Sequence, residues 1–118
     1  MKHNFRELKV WQDAITLAKE VYLHSRQFPE SEKYGLTSQV NRAVVSIASN
    51  IAEGSGRNTN KDFCNFLGIA LGSAYEAETQ LILAKEFGFL SEDSLNHLVE
   101  KLNSLEKKIS NLQSRLRD

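Results

Sequence analysis

The sequence predicts an all-α protein: an up-down-up-down antiparallel four-helix bundle over residues 1–118, assembled into a cyclic homo-oligomer. Three observations predict it. Pro29 is the only proline, and glycines and small polar residues gather at three places that cut the chain into four segments of similar length. Each segment carries apolar residues at three-and-four spacing, the period of one helix face, and no stretch alternates for long or holds an Asn-Gly or Asp-Gly hairpin turn. The third segment is apolar nearly all round, more surface than three sister helices would cover.

The first helix is expected over 8–28, with Trp11, Ile15, Ala18, Val21 or Tyr22, Ser25 and Phe28 on its apolar stripe. Pro29 stops it, because the residue before a proline is pushed out of helical geometry. The second, over 36–53, has the stripe Leu36, Val40, Ala43, Val44, Ile47 and Ile51, with Gly54 placed as a left-handed C-cap and Gly56 keeping the turn uncrowded. The third, over 60–87, opens at Thr59, whose hydroxyl can accept an early helical N–H, while Asp62 opposes the positive end of the helix dipole. The fourth, over 92–117, opens at Ser91 with Glu92 and Asp93 and closes with Arg115 and Arg117 near the negative end. Its Leu95, Leu98, Leu102, Leu105, Ile109, Leu112 and Leu116 alternate three and four apart, and a long coiled coil would fit this segment alone. Helices of these lengths would be ~27 to 42 Å long. Connections of a few residues make neighbours antiparallel, crossing at roughly 20°.

In the third helix Phe63, Leu67, Ala70, Ala74, Ala77, Leu81 and Ala84 form one stripe. Phe66, Ile69, Leu83 and Phe87 mark its flank, and Gly68, Gly72, Tyr75 and Ile82 a third strip. Each of the two glycines costs ~1 kcal/mol against alanine in a helix interior, which suits the close approach of another copy's backbone. Alternatively they make room for Trp11 or a tyrosine within the same bundle. In the second helix Arg42, Ser46 and Asn50 recur every four residues. That polar stripe fits hydrogen bonds between helices or subunits, with Glu53 or Glu78 as partners, as well as it fits a solvated face. The candidate contact residues are therefore Arg42, Ser46, Asn50, Glu53, Gly68, Gly72 and Glu78.

Composition narrows the chemistry. Hydrophobic residues make up 41% and charged residues 25%, ordinary for a globular protein, and 15 basic residues balance 15 acidic ones. A neutral chain has no overall pull toward nucleic acid or anionic membrane. Cys64 is the only cysteine, so no internal disulfide forms and a reducing setting fits. With no secretory signal in the first residues and no apolar run of about 18 residues, a cytoplasmic protein away from membranes is expected.

No catalytic, metal or cofactor site is expected. Glu-x-x-His is absent; Glu20 with His24 and Asp93 with His97 read as surface pairs, and His3 as part of a frayed terminus. Cys64 follows Phe63 with no histidine near it in sequence, which suits a core or interface residue better than a nucleophile. Glu76 and Glu78 diverge by about 200° on a helix and form no acid–base pair. The run Glu53-Gly54-Ser55-Gly56-Arg57 ends a helix where a phosphate loop would start one.

An up-down-up-down order gathers residues 1–13, 53–62 and 107–118 at one end. There Lys2, Arg6, Lys9, Arg57, Lys61, Lys107, Lys108, Arg115 and Arg117 outnumber Glu7, Asp13, Glu53, Asp62 and Asp118. Lys2, Arg6, Lys9, Arg57, Lys61, Arg115 and Arg117 are candidate contacts to the phosphates of structured RNA, repeated around the rim of a ring. The interleaved acids fit a solvated bundle end as well.

Four runs of residues are familiar as a set: Phe5-Arg6-Glu7-Leu8-Lys9-Val10-Trp11, Tyr34-Gly35-Leu36-Thr37-Ser38-Gln39, Ser46-Ile47-Ala48-Ser49-Asn50-Ile51-Ala52-Glu53-Gly54 and Ala70-Leu71-Gly72-Ser73-Ala74-Tyr75-Glu76. They resemble the four-helix bundle family named for proteins encoded in intervening sequences of bacterial 23S ribosomal RNA genes. The likeness spans nearly the whole chain and is most specific at Asn50-Ile51-Ala52-Glu53-Gly54. Ala48 stands where relatives often carry proline. The resemblance implies a homopentameric ring, similar to the strongly basic accessory proteins of diversity-generating retroelements, which bind RNA and a reverse transcriptase. It carries over no catalytic residue. Two functions follow as expectations: a scaffold that binds structured RNA through its basic end, or an adaptor that docks a partner protein and never touches nucleic acid. A small enzyme is a distant third. An uninterrupted positive rim would favour RNA, and acids set within it the adaptor.

Overall fold

Four helices make up most of the computed structural model, which describes residues 3–118: α1 (Lys9–Ser25), α2 (Leu36–Ser55), α3 (Asn60–Glu86) and α4 (Glu92–Arg117), with 3-10 turns at Phe5–Glu7 and Glu30–Glu32. Lys2, a candidate RNA contact, lies outside the described residues. Among the described residues there is no strand, and no helix is long and apolar enough to cross a membrane.

α1 ends earlier than residue 28. Gln27 N–H donates to His24 O and Phe28 N–H to Ser25 O, each three residues back, so the chain tightens and leaves the helix ahead of Pro29. Its buried face is Val10, Ala14, Leu17, Val21 and Ser25; Val21 and Ser25 lie on the expected stripe, as does the buried Phe28 beyond the helix, while Val10, Ala14 and Leu17 each stand one residue round from the expected Trp11, Ile15 and Ala18. Both stripes have the same spacing, so periodicity alone could not choose between them. Trp11 and Ala18 are half-buried at the edge, Ile15 is exposed, and the Trp11 ring packs edge-on against Phe5 with centroids 5.2 Å apart.

α2 buries Leu36, Val40, Ala43, Val44, Ile47 and Ile51 on the expected stripe, joined by Ala48 and Gly54. At its start the Leu36 N–H donates to the Glu32 carboxylate at 3.1 Å, a cap the sequence reading missed. Gly54 is not a left-handed cap. The helix runs through it to Ser55 and ends at Gly56 with φ −90° and ψ 1°. A Cβ on Gly54 would lie 2.6 Å from Phe66 Cβ and 3.0 Å from Phe63 Cδ1, so this glycine serves close packing against α3.

α3 opens with Thr59 Oγ1 accepting from Asp62 N–H at 3.1 Å. Its stripe of Phe63, Leu67, Ala70, Ala74, Ala77, Leu81 and Ala84 is fully buried. It closes as Phe89 N–H donates to Ala84 O at 2.8 Å across Gly88, whose φ of 84° is the only positive value among the described residues. α4 opens with Ser91 Oγ accepting from Ser94 N–H, and buries Leu98, Leu102, Leu105 and Ile109. Leu95, Leu112 and Leu116 are half-buried against the same core.

Between α1 and α4, and between α2 and α3, side-chain pairings run in opposite chain order. Asp13 and Glu20 of α1 meet Lys108 and His97 of α4. Ser46 of α2 meets Ser73 of α3, with Gly54 beside Phe66. Cys64 of α3 meets Gln113 of α4, and Ser25 of α1 meets Asn41 of α2. The whole measures 45 × 23 × 20 Å.

The Gly54 contact generates a prediction. Phe66 Cβ is fixed to its backbone, so Gly54→Ala forces α2 and α3 apart and costs about 1–3 kcal/mol of stability. Thermal melts followed by circular dichroism are expected to show a fall of roughly 5–10 °C.

Candidate functional site

The outer face of α3 is apolar and exposed. Ile69, Tyr75, Ile82, Leu83 and Phe87 retain between 40% and 59% of their accessible surface. Gly68 and Gly72 lie among them: a Cβ on Gly72 would meet nothing within 4 Å, and one on Gly68 only Gln113 Nε2 at 3.7 Å. The two glycines therefore make no room for Trp11 or a tyrosine among these four helices.

Between α2 and α3 runs a groove of about 550 Å³ lined by Gln39, Arg42, Ala43, Ser46, Glu76 and Gln80. The polar stripe of α2 forms one wall. Ser73 Oγ donates to Ser46 Oγ at 3.0 Å, tying the helices together, and Asn50 Nδ2 donates back to Ser46 O at 2.8 Å and Oγ at 3.0 Å. Gln80 is only 9% exposed, and its Oε1 is buried without a hydrogen-bond donor. Within one chain Glu53 and Glu78 do not meet this stripe. Glu53 pairs with Arg57 at 2.8 Å, and Glu78 lies round α3 toward α4. Glu76, two residues earlier, takes the place expected for Glu78, since two helical residues rotate a side chain by about 200°. Sequence reasoning missed Glu76 and Gln80 as groove residues. The available signal was register: with Ser46 opposite Ser73, a step of four back along α2 meets a step of about four forward along α3.

On the other flank of α3, Glu78 and Glu106 approach across the seam with α4. With its amide nitrogen facing both carboxylates, Asn103 donates to Glu78 Oε1 and Glu106 Oε1, each at 3.1 Å. Burial, then the hydrogen bond and charge of Glu78, push the Glu106 carboxyl up to about 7. The folded state therefore binds a proton that the unfolded state releases near the ordinary 4.5, so stability is lost as pH rises from about 4.5 to 7. Glu106→Gln, neutral at every pH, is expected to raise the melting temperature at pH 8 by roughly 2–4 °C, partial exposure screening the repulsion, with no gain at pH 4.5. Equal effects at both pH values would refute the shared proton.

At the basic end Arg6, Lys9, Arg57, Lys61, Arg115 and Arg117 are all exposed. Acids interrupt it. Asp13 receives Lys9 at 3.0 Å and Lys108 at 2.8 Å; burial pushes its carboxyl upward, but the two lysines outweigh this and hold it below the ordinary value. Arg57 pairs with Glu53 and lies 4.5 Å over the Phe66 ring. Arg6, Lys61, Arg115 and Arg117 have no carboxylate partner among the described residues. Lys61 and Arg117 line one groove with Asn60, Cys64, Asn65 and Leu116, while Lys9, Lys108 and Arg115 line another.

Three smaller expectations change. His3 is tied down, its N–H donating to Ser55 O at 3.1 Å and its ring 5.2 Å from Phe63. His97 pairs with Glu20 across α1 and α4 at 2.9 Å instead of with Asp93, because the two helices pass in that register. His24 Nδ1 lies 2.8 Å from the Glu20 carbonyl oxygen, not from its carboxylate. Cys64 is buried, its thiol donating to Gln113 O at 3.5 Å. Among the described residues no three His, Cys, Asp or Glu side chains converge as metal ligands.

The family model of the 23S rRNA-intervening sequence protein matches residues 6–111. A crystal structure of a protein with unknown function from the S23 ribosomal protein family of Bacteroides thetaiotaomicron VPI-5482 is similar with a TM-score of 0.80 and 24% identity. The match covers 88% of this chain and 97% of that one, a likeness of fold. No curated protein matches the chain. With the family pattern running through all four helices, the chain belongs to the 23S rRNA-intervening sequence protein family.

Proposed function

We propose that the chain is a non-catalytic scaffold of the cytoplasm, an up-down-up-down bundle whose copies close into a ring through the outer face of α3. The exposed apolar side chains of that face, set around Gly68 and Gly72, carry this reading. An apolar surface rimmed by polar residues marks a contact, and contacts between identical chains close with cyclic symmetry by default. Five members is the number that the resemblance implies. Light scattering is expected to return a multiple of 13.4 kDa for the native chain at micromolar concentration, and a single-chain mass would refute the ring. Ile69→Glu with Leu83→Glu, both at exposed positions, is expected to dissociate the assembly while leaving its helical circular dichroism in place.

The basic end supports two kinds of partner at different positions. Asp13 and Glu53, sitting among Lys9, Lys108 and Arg57, favour a partner protein there. Lys61 and Arg117, sharing a groove without a carboxylate partner, favour contact with the phosphates of structured RNA. If RNA binds there, Lys61→Glu with Arg117→Glu lowers the slope of log affinity against log salt by about 2, without regard to sequence. No retention of structured RNA by the native protein at low salt would leave the adaptor as the reading.

A further inference from the structure

We infer that the α2–α3 groove is a socket for an arginine from a neighbouring copy: Arg42 of one chain enters the groove of the next and binds Glu76 and Gln80 there. This rests on the self-association proposed above and names the contact at its centre.

Three groups in the groove lack what the others of its kind would supply. Gln80 is nine-tenths buried, and its Oε1 has no donor. A buried amide oxygen left this way is costly until something donates to it. Glu76 is exposed on the α3 wall and forms no ion pair among the described residues. Arg42 is exposed on the α2 wall, equally without an ion pair, and its guanidinium carries five N–H donors and no acceptor. Arg42 and Glu76 line the same groove yet do not reach each other within one chain, and about 550 Å³ of space lies between its walls. A guanidinium arriving from outside can fork between the Glu76 carboxylate and the Gln80 carbonyl.

The surroundings point to a second copy as its source. Ile69 and Leu83 stand seven residues before and after Glu76, on the same strip of α3, and both are exposed. Val45, three residues from Arg42 on α2, is exposed as well. The socket is thus flanked by apolar side chains that gain from burial. Each copy gives one Arg42 and receives one, so the contact is neutral and self-complementary in charge.

Charge exchange tests it. Arg42→Glu and Glu76→Arg are each expected to raise the concentration of half-dissociation at least about tenfold, and the double variant to restore it to within about threefold. Single variants that keep the native mass, or a double variant that stays dissociated, would overturn the socket while leaving self-association standing, and the groove would then belong to a small polar ligand or another protein. A native chain that is monomeric throughout would instead refute the scaffold itself. Mixing separately purified Arg42→Cys and Glu76→Cys chains, each also carrying Cys64→Ala, under mild oxidation gives an independent readout. A disulfide-linked pair supports the socket, and unlinked chains overturn it.

Discussion

A methyl group on Gly54 would overlap Phe66 Cβ at 2.6 Å, and four of the seven residues in the core stripe of α3 are alanines. These small residues let α2 bring Val40, Val44, Ile47 and Ile51 close against its neighbour, large side chains meeting small ones as a close-packed interior demands. Much else depends on that choice. Phe63, Leu67 and Leu81 complete that buried stripe, while Ile69, Tyr75, Ile82 and Leu83 stand exposed on the other side of α3. The tight seam that holds the bundle together and the apolar outer face thus lie on opposite sides of one helix.

Neutral composition resolves into unequal seams. Between α1 and α4 Asp13 receives the Lys108 ammonium, and the Glu20 carboxylate meets the His97 ring further along. Between α3 and α4 two acids meet, held by Asn103 and by the proton that the raised Glu106 retains. Asp13 is shared by Lys9 and Lys108 and so offsets one of the two positive charges that composition had counted toward a basic end. Exposed ion pairs of this kind add little stability, so their main effect is on what the surface presents to a partner. Among the described residues the basic side chains of that end without a carboxylate partner are Arg6, Lys61, Lys107, Arg115 and Arg117, a narrower footprint than the count of basic residues suggested.

What the sequence made legible was local or strictly periodic. Thr59 and Ser91 cap the helices they precede, because a hydroxyl within reach of the third N–H needs nothing beyond its own turn. The leucine repeat of α4 and the stripe of α2 needed only one face to be apolar. In α1 two adjacent stripes share one spacing, and only packing against α2 and α4 selects Val10, Ala14 and Leu17 over Trp11, Ile15 and Ala18. Gly54 looked like a cap because glycine favours both cap and close approach, and the decision belongs to Phe66, twelve residues on. The groove was hidden for the same reason: Arg42 was visible as part of a polar stripe, but finding Glu76 and Gln80 opposite requires the register between two helices.

Apolar and polar surface on the α2–α3 side do different physical work. Burial of Ile69, Leu83 and Phe87 is non-directional and would stabilise many relative placements of two surfaces almost equally. A groove holding a carboxylate, a donor-starved amide and a free guanidinium is directional, because a misplaced partner leaves charges desolvated and unpaired. A face built from apolar side chains alone would associate without fixed register, and one built from the polar groove alone would bind weakly in water. Set side by side, the apolar strip would supply the drive of the proposed contact, and the groove would restrict it to placements in which Arg42, Glu76 and Gln80 are all satisfied.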